Sequence, residues 1–112
     1  MNLAQLRKFA LSLPQATEEP HFDRTSFRVR GKIFVTAKPG EPYAHVFVGD
    51  AQREPALAMH GDCMEKLLWG GKVMGLRVHL SKATLAMLKP LVLAAWEAKA
   101  PKGLVSQRRA RS

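Results

Sequence analysis

A chain of 112 residues with 46% hydrophobic side chains has room for one compact domain with an ordinary globular core, which excludes a second domain and a largely disordered chain. Its single cysteine, Cys63, excludes an intramolecular disulfide, and no apolar run approaches the roughly 18 residues of a membrane span. Eighteen Lys and Arg against nine Asp and Glu give a net charge of +9, which favours polyanions as partners and disfavours acidic surfaces.

In chain order, Arg7 and Lys8 interrupt the amino-terminal apolar residues before a signal-peptide core can develop, so a cytoplasmic address is expected. Asn2 is placed to cap a first helix in which Leu3, Leu6, Phe9, Ala10 and Leu13 recur at helical spacing, and Pro14 ends it. Gln15 to Pro20 reads as a polar connection. Thr25–Val29 and Ile33–Thr36 flank Arg30-Gly31-Lys32 and predict a hairpin, with Gly31 supplying positive φ. A two-residue turn at Arg30-Gly31 pairs Phe27 with Phe34 and sends Arg28 and Arg30 to the opposite face; a slip of one residue reverses the second strand.

Pro39 to Pro42 is a loop, Tyr43 to Val48 a third strand, and Ala51 to His60 a short helix with Pro55 in its first turn. Gly70-Gly71 breaks the chain before a last strand, Val73 to Leu80. There Leu76, Val78 and Leu80 alternate with Arg77 and His79, which face solvent. Ser81 then caps a long helix with an apolar face of Leu85, Leu88, Val92, Ala95 and Trp96, kinked or divided at Pro90. Gly103 marks the end of order. The expected division is a domain over residues 1–104 and a basic, mobile tail over 105–112. The expected fold class is α+β: a two-layer sandwich of an antiparallel sheet with the N- and C-terminal helices on one face.

The charge is uneven. Residues 99–112 hold Lys99, Lys102, Arg108, Arg109 and Arg111 with no acid, which is +5, while thirteen basic and nine acidic side chains in residues 1–98 leave +4.

Three stretches resemble a known family. Leu13-Pro14-Gln15-Ala16-Thr17-Glu18-Glu19-Pro20-His21-Phe22 is similar to its proline-bearing acidic linker. Ser26-Phe27-Arg28-Val29-Arg30-Gly31-Lys32-Ile33-Phe34 is similar to its hairpin signature, and Ala94-Ala95-Trp96-Glu97-Ala98-Lys99-Ala100-Pro101-Lys102 resembles its closing helix end. The family is the MmcQ/YjbR-like group, and the likeness covers about residues 3–104. It implies a CyaY-like fold, as in bacterial frataxin, with an antiparallel sheet covered by two helices, and a DNA-binding role. The chain departs from the family pattern at Phe22 and Asp23, where Trp and Gly are frequent, and in its basic end after Leu104.

Several chemistries fit poorly. Iron binding through an acidic surface needs several converging oxygen ligands, and the first helix holds no acid, leaving only Glu18, Glu19 and Asp23. His60-Gly61-Asp62-Cys63 lacks the repeated spacing of a zinc site, and His21, His45 and His79 are scattered. Cys63 has His60 nearby but no orienting acid, so a structural thiol is expected. Gly70-Gly71-Lys72 lacks the upstream glycine and the Ser or Thr of a phosphate loop. No enzyme activity, metal or cofactor is therefore expected, and a monomer is favoured.

Two binding readings remain. In the first, DNA or another polyanion is bound with weak sequence preference through phosphate contacts from Arg28, Arg30, Lys32, Arg77, Arg108, Arg109 and Arg111. His79, Tyr43, His45 and Phe47 then lie beside them on the open sheet face if the third strand takes that register. In the second, a crevice between sheet and helices holds an anionic metabolite or peptide, lined by His21, Arg24 and Trp69.

Overall fold

The computed structural model describes residues 1–111; residue 112, the end of the expected tail, and the side chain of Arg111, one of the expected phosphate contacts, lie outside the described residues. Asn2 opens the fold with a reciprocal cap. Its side chain accepts from the Gln5 backbone N–H at 2.9 Å, and the Gln5 side chain accepts from the Asn2 N–H at 3.0 Å. Helix α1, Leu3–Ser12, follows and buries Leu6 and Ala10. The remaining elements are β1 (Ala16–His21), β2 (Arg24–Val29), β3 (Lys32–Ala37), β4 (Tyr43–Val46), α2 (Asp50–His60), β5 (Met64–Trp69), β6 (Lys72–His79), α3 (Leu85–Lys99) and α4 (Lys102–Arg111). The strands form one antiparallel six-stranded sheet in the order β1-β2-β3-β4-β6-β5.

Two of these strands were not expected. Gln15 to Pro20, read as a connection, supplies most of β1, an edge strand that tolerates Pro20 because its second ladder is unoccupied. Its charge is anchored on α1, where Arg7 Nε donates to Glu18 Oε1 at 2.8 Å, and on β2, where the Thr25 hydroxyl donates to Glu18 Oε2 at 2.7 Å. At the other edge β5 precedes Gly70 (φ 56°) and Gly71 (φ 80°), so the expected chain break is a two-residue hairpin turn.

The first hairpin does turn at Arg30-Gly31, with Val29 opposite Lys32 and Arg28 opposite Ile33. A bulge then shifts the ladder so that Phe27 faces Val35 rather than the expected Phe34. Further along, Ser81 does not cap α3. Thr84 does, accepting from the Met87 N–H at 3.2 Å, and Pro90 does not divide the helix. Nor does order end at Gly103. Residues 102–111 form α4, held by buried Leu104 and by Arg109 Nη2 against Glu97 of α3 at 2.9 Å, so the expected boundary at 104/105 falls inside a helix.

The two layers are as expected, with α1 and α3 on one face of the sheet. Phe27, Val29, Val35, Ala37, Ala44, Val46, Leu76 and Val78 project from the sheet into the core, and Leu6, Leu88, Val92 and Trp96 meet them from the helices. The Trp96 Nε1–H donates to the Pro14 carbonyl at 3.1 Å, tying α3 to the end of α1. Because successive strand residues alternate faces, this packing sends Arg24, Ser26, Arg28, Thr36, Tyr43, His45, Arg77 and His79 to the other side, opposite α1 and α3.

Candidate ligand site on the open sheet face

The open face is not flat. Between its two edges lies a cleft of about 320 Å³. One wall comes from the β1–β2 turn, where Phe22 adopts φ 58° and Asp23 follows. The opposite wall comes from the β5–β6 hairpin, where a bulge between Leu67 and Leu68 interrupts the two-residue alternation. That irregularity lets Leu67, Leu68 and Trp69 all line the same cleft, joined by Met74, the residue left out of the ladder between Val73 and Gly75. The floor is Arg24, Thr36 and His45, contributed by β2, β3 and β4.

The walls are unusually apolar for solvent-facing groups. Phe22 is 94% exposed, Trp69 75% and Leu68 61%. Single exposed hydrophobics are ordinary, but several converging on one concavity with a few polar floor groups form the usual composition of a ligand site.

The floor carries the polar chemistry. Arg24 Nη1 pairs with Glu41 Oε1 at 2.8 Å, and its Nε donates to Thr36 Oγ1 at 3.3 Å. Its Nη2 is buried and has no hydrogen-bond partner. His45 sits opposite Arg77 in the β4–β6 ladder and opposite Thr36 in the β3–β4 ladder. Desolvation first, then the Arg24 and Arg77 guanidinium groups, lower its pKa from 6.5 to about 4, with Glu41 opposing. The imidazole is therefore neutral at neutral pH and presents one donor and one acceptor.

This sets a pH dependence. A depressed histidine pKa stabilises the fold above 6.5, and that contribution is lost as pH falls towards about 4, because the unfolded chain takes up a proton that the folded chain refuses. The ring is only half buried, so the screened contribution is roughly 1–2 kcal/mol. Urea titrations at pH 7 and pH 5 are expected to show His45→Gln losing less stability than the parent over that interval. Equal losses would mean that His45 is not the group responsible. Glu18 and Glu41, whose pKa values are lowered by Arg7 and Arg24 respectively, act with the same sign in a lower window, stabilising above their unfolded pKa and losing that contribution as pH falls below it.

The seven expected phosphate contacts do not form one surface. Arg28 and Arg77 lie on the open face. Arg28 donates to Ser26 Oγ at 2.8 Å and to the Pro20 carbonyl at 3.3 Å. Arg77 stacks over the Tyr43 ring at 4.1 Å, with Glu65 3.9 Å away. Arg30 occupies the hairpin turn, bonded to Gln15, and exposed Lys32 faces the helix side beside Val29. Arg108 and Arg109 belong to α4, beside α3. Tyr43 and His45 share the open face with Arg77 and His79, and Phe47 lines the cleft.

His21, Arg24 and Trp69 do line one cavity, but on the opposite side of the sheet from that expected. The space between sheet and helices is filled by Trp96, Phe27, Phe34 and Leu88. The sequence reading missed Phe22, Thr36, Leu68 and Met74. The signal for the first was an aromatic residue in a two-residue connection; for Leu68 and Met74 it was a hairpin with apolar residues on both sides of Gly70-Gly71.

Cys63 is buried, and burial together with Asp62 pushes its thiol pKa up, against a nucleophilic role. Among the described residues, no three His, Cys, Asp or Glu side chains are grouped to hold a metal ion, and no helix is long and apolar enough to cross a membrane. In comparisons with known proteins, no family model matches the chain and no curated protein is similar enough to count as a relative.

Proposed function

We propose that the protein is a non-catalytic binding module whose open-face cleft holds a small ligand. The observation that carries this reading is the convergence of Phe22, Leu68 and Trp69, all strongly exposed, on a cleft floored by Arg24, Thr36 and His45. Leaving that much apolar surface in water is unfavourable by about 25 cal/mol per Å², and a ligand that covers it recovers the loss. A ligand that binds the folded chain alone raises its melting temperature, by an amount that grows with the logarithm of its concentration over its dissociation constant.

The test is a thermal-shift screen of small metabolites on the parent chain and on Trp69→Ala. Trp69 is exposed, so its removal is expected to change intrinsic stability by no more than about 0.5 kcal/mol. Compounds that raise the parent's melting temperature are expected to lose most of that effect in the variant. Hits that shift both proteins equally would place the ligand elsewhere.

A second reading, binding of DNA or another polyanion with weak sequence preference, is favoured by α4. This helix gathers Lys102, Arg108 and Arg109 without an acid, close in sequence to Lys99. Phosphate contacts from Arg28, Arg30, Lys32, Arg77, Arg108, Arg109 and Arg111 would make affinity fall steeply with salt. The resemblance to the MmcQ/YjbR-like group supports the same reading. Salt-dependent duplex binding that is lost in Arg108→Gln/Arg109→Gln and kept in Trp69→Ala would establish it. Both readings take the protein as a cytoplasmic monomer.

A further inference from the structure

We infer that the ligand of the open-face cleft is a planar aromatic monoanion of one or two rings, an aromatic carboxylate in chemical class, with its ring held between Phe22 and Trp69 and its carboxylate at Arg24. This rests on the cleft being the ligand site and names what the site selects.

Size comes first. The cleft's volume of about 320 Å³ lies at the lower end of small-molecule sites, which run from roughly 300 to 1,000 Å³. That suits a ligand of one or two rings; the preference for rings over a chain comes from the walls.

Shape follows from the walls. Phe22 and Trp69 come from elements at opposite edges of the sheet, the β1–β2 turn and the β5–β6 hairpin, yet line the same cavity. His21 already meets the Phe22 ring edge-on at 4.8 Å between centroids. A ring entering between these walls meets aromatic partners on two sides, at the offset or edge geometries that such rings favour. An aliphatic chain of the same area gains burial alone.

Charge is set by the floor. The cleft's one carboxylate, Asp23, is paired with Lys38 at 2.9 Å, so it offers little to a cation. Arg24 and Arg77 both press on His45 as positive neighbours, with Glu41 opposing them in part. Arg24 has committed two of its three nitrogens, to Glu41 and Thr36, while Nη2 has no partner and is closed to water. A carboxylate oxygen at the floor satisfies that nitrogen once the Arg24 side chain moves to expose it, and the Thr36 hydroxyl has a proton to donate to the same group. A neutral amide of the same shape supplies an acceptor without the charge.

Isothermal titration with 2-naphthoate and benzoate, each against its neutral carboxamide, tests this on the full chain. The acids are expected to bind saturably and at least tenfold more tightly than the amides. Arg24→Gln is expected to remove that difference, and Trp69→Ala to weaken acid and amide together. Arg24→Lys, which keeps the charge, guards against misfolding of the Gln variant and is expected to retain part of the preference. Decanoate, an aliphatic acid, is expected to bind more weakly than 2-naphthoate. Equal affinity for acid and amide, or tighter binding of decanoate, overturns the ligand class while leaving the cleft as a ligand site. If none of these compounds binds and the metabolite screen also finds no Trp69-dependent hit, the ligand-site reading fails with it.

Discussion

Gly75→Ala is expected to destabilise the fold by about 3–5 kcal/mol, a large fraction of what a domain of this size possesses. Gly75 lies in β6 beside the end of β4. A Cβ built there collides with the Val46 carbonyl oxygen and stands 2.9 Å from the Phe47 Cα. Both obstacles are backbone, so no side-chain rotation relieves them and the strands must separate. The damage falls where Val46 pairs with Leu76, at the join between the β1–β4 meander and the β5–β6 hairpin. The melting temperature should fall by more than about 10 °C. Gly40→Ala is the control. Gly40 has φ 85° but nothing within 4 Å of a new Cβ, so its cost is the left-handed penalty alone, about 1–2 kcal/mol. Similar losses in the two variants would show that close strand approach is not what requires glycine at 75.

Trp96→Ala is expected to cost about 3–5 kcal/mol by leaving a cavity in the middle of the core. The side chain is fully buried and is the largest of the buried set. Its loss also strips the Pro14 carbonyl of the indole N–H that ties α3 to the end of α1. Trp96→Phe separates the two contributions, because it keeps most of the ring volume and removes the donor. Its expected cost is about 1–3 kcal/mol, that of a carbonyl left unpaired plus a small void. Urea unfolding followed by circular dichroism reads both variants. If Trp96→Phe cost as much as Trp96→Ala, the hydrogen bond rather than the packing would dominate.

What could be read from the residues was what local chemistry dictates. The Asn2 cap, the turn at Arg30-Gly31 and the alternation of Leu76-Arg77-Val78-His79 each carry their structure within a few positions and were placed correctly. The part of Gln5 in the cap and the Phe27–Val35 pairing beyond the bulge were not read. β1 was not legible because Glu18, Glu19 and Pro20 look like a loop; what makes them a strand is distant, in the Arg7–Glu18 pair and the ladder to β2. Met64–Trp69 has no strict alternation, and Gly70-Gly71 reads equally as a break or a hairpin turn. Gly103 has low helix propensity, but burial of Leu104 outweighs it. The cleft shows the same division. His21, Arg24 and Trp69 were recognisable as a group, whereas the side of the sheet they occupy depends on strand parity and on the bulge at Leu67/Leu68. A one-residue irregularity of that kind has no signature in the sequence.

The most direct measurement is amide chemical-shift mapping of the full chain, titrated separately with the compound giving the largest thermal shift and with a short DNA duplex. Small-molecule shifts confined to Phe22, Arg24, Thr36, His45, Leu68 and Trp69, and saturating with concentration, are the expected result. A small-molecule response absent from those positions, with duplex-induced shifts across Arg30, Lys32 and α4 alone, would contradict the cleft as the functional site and leave the basic surface in its place.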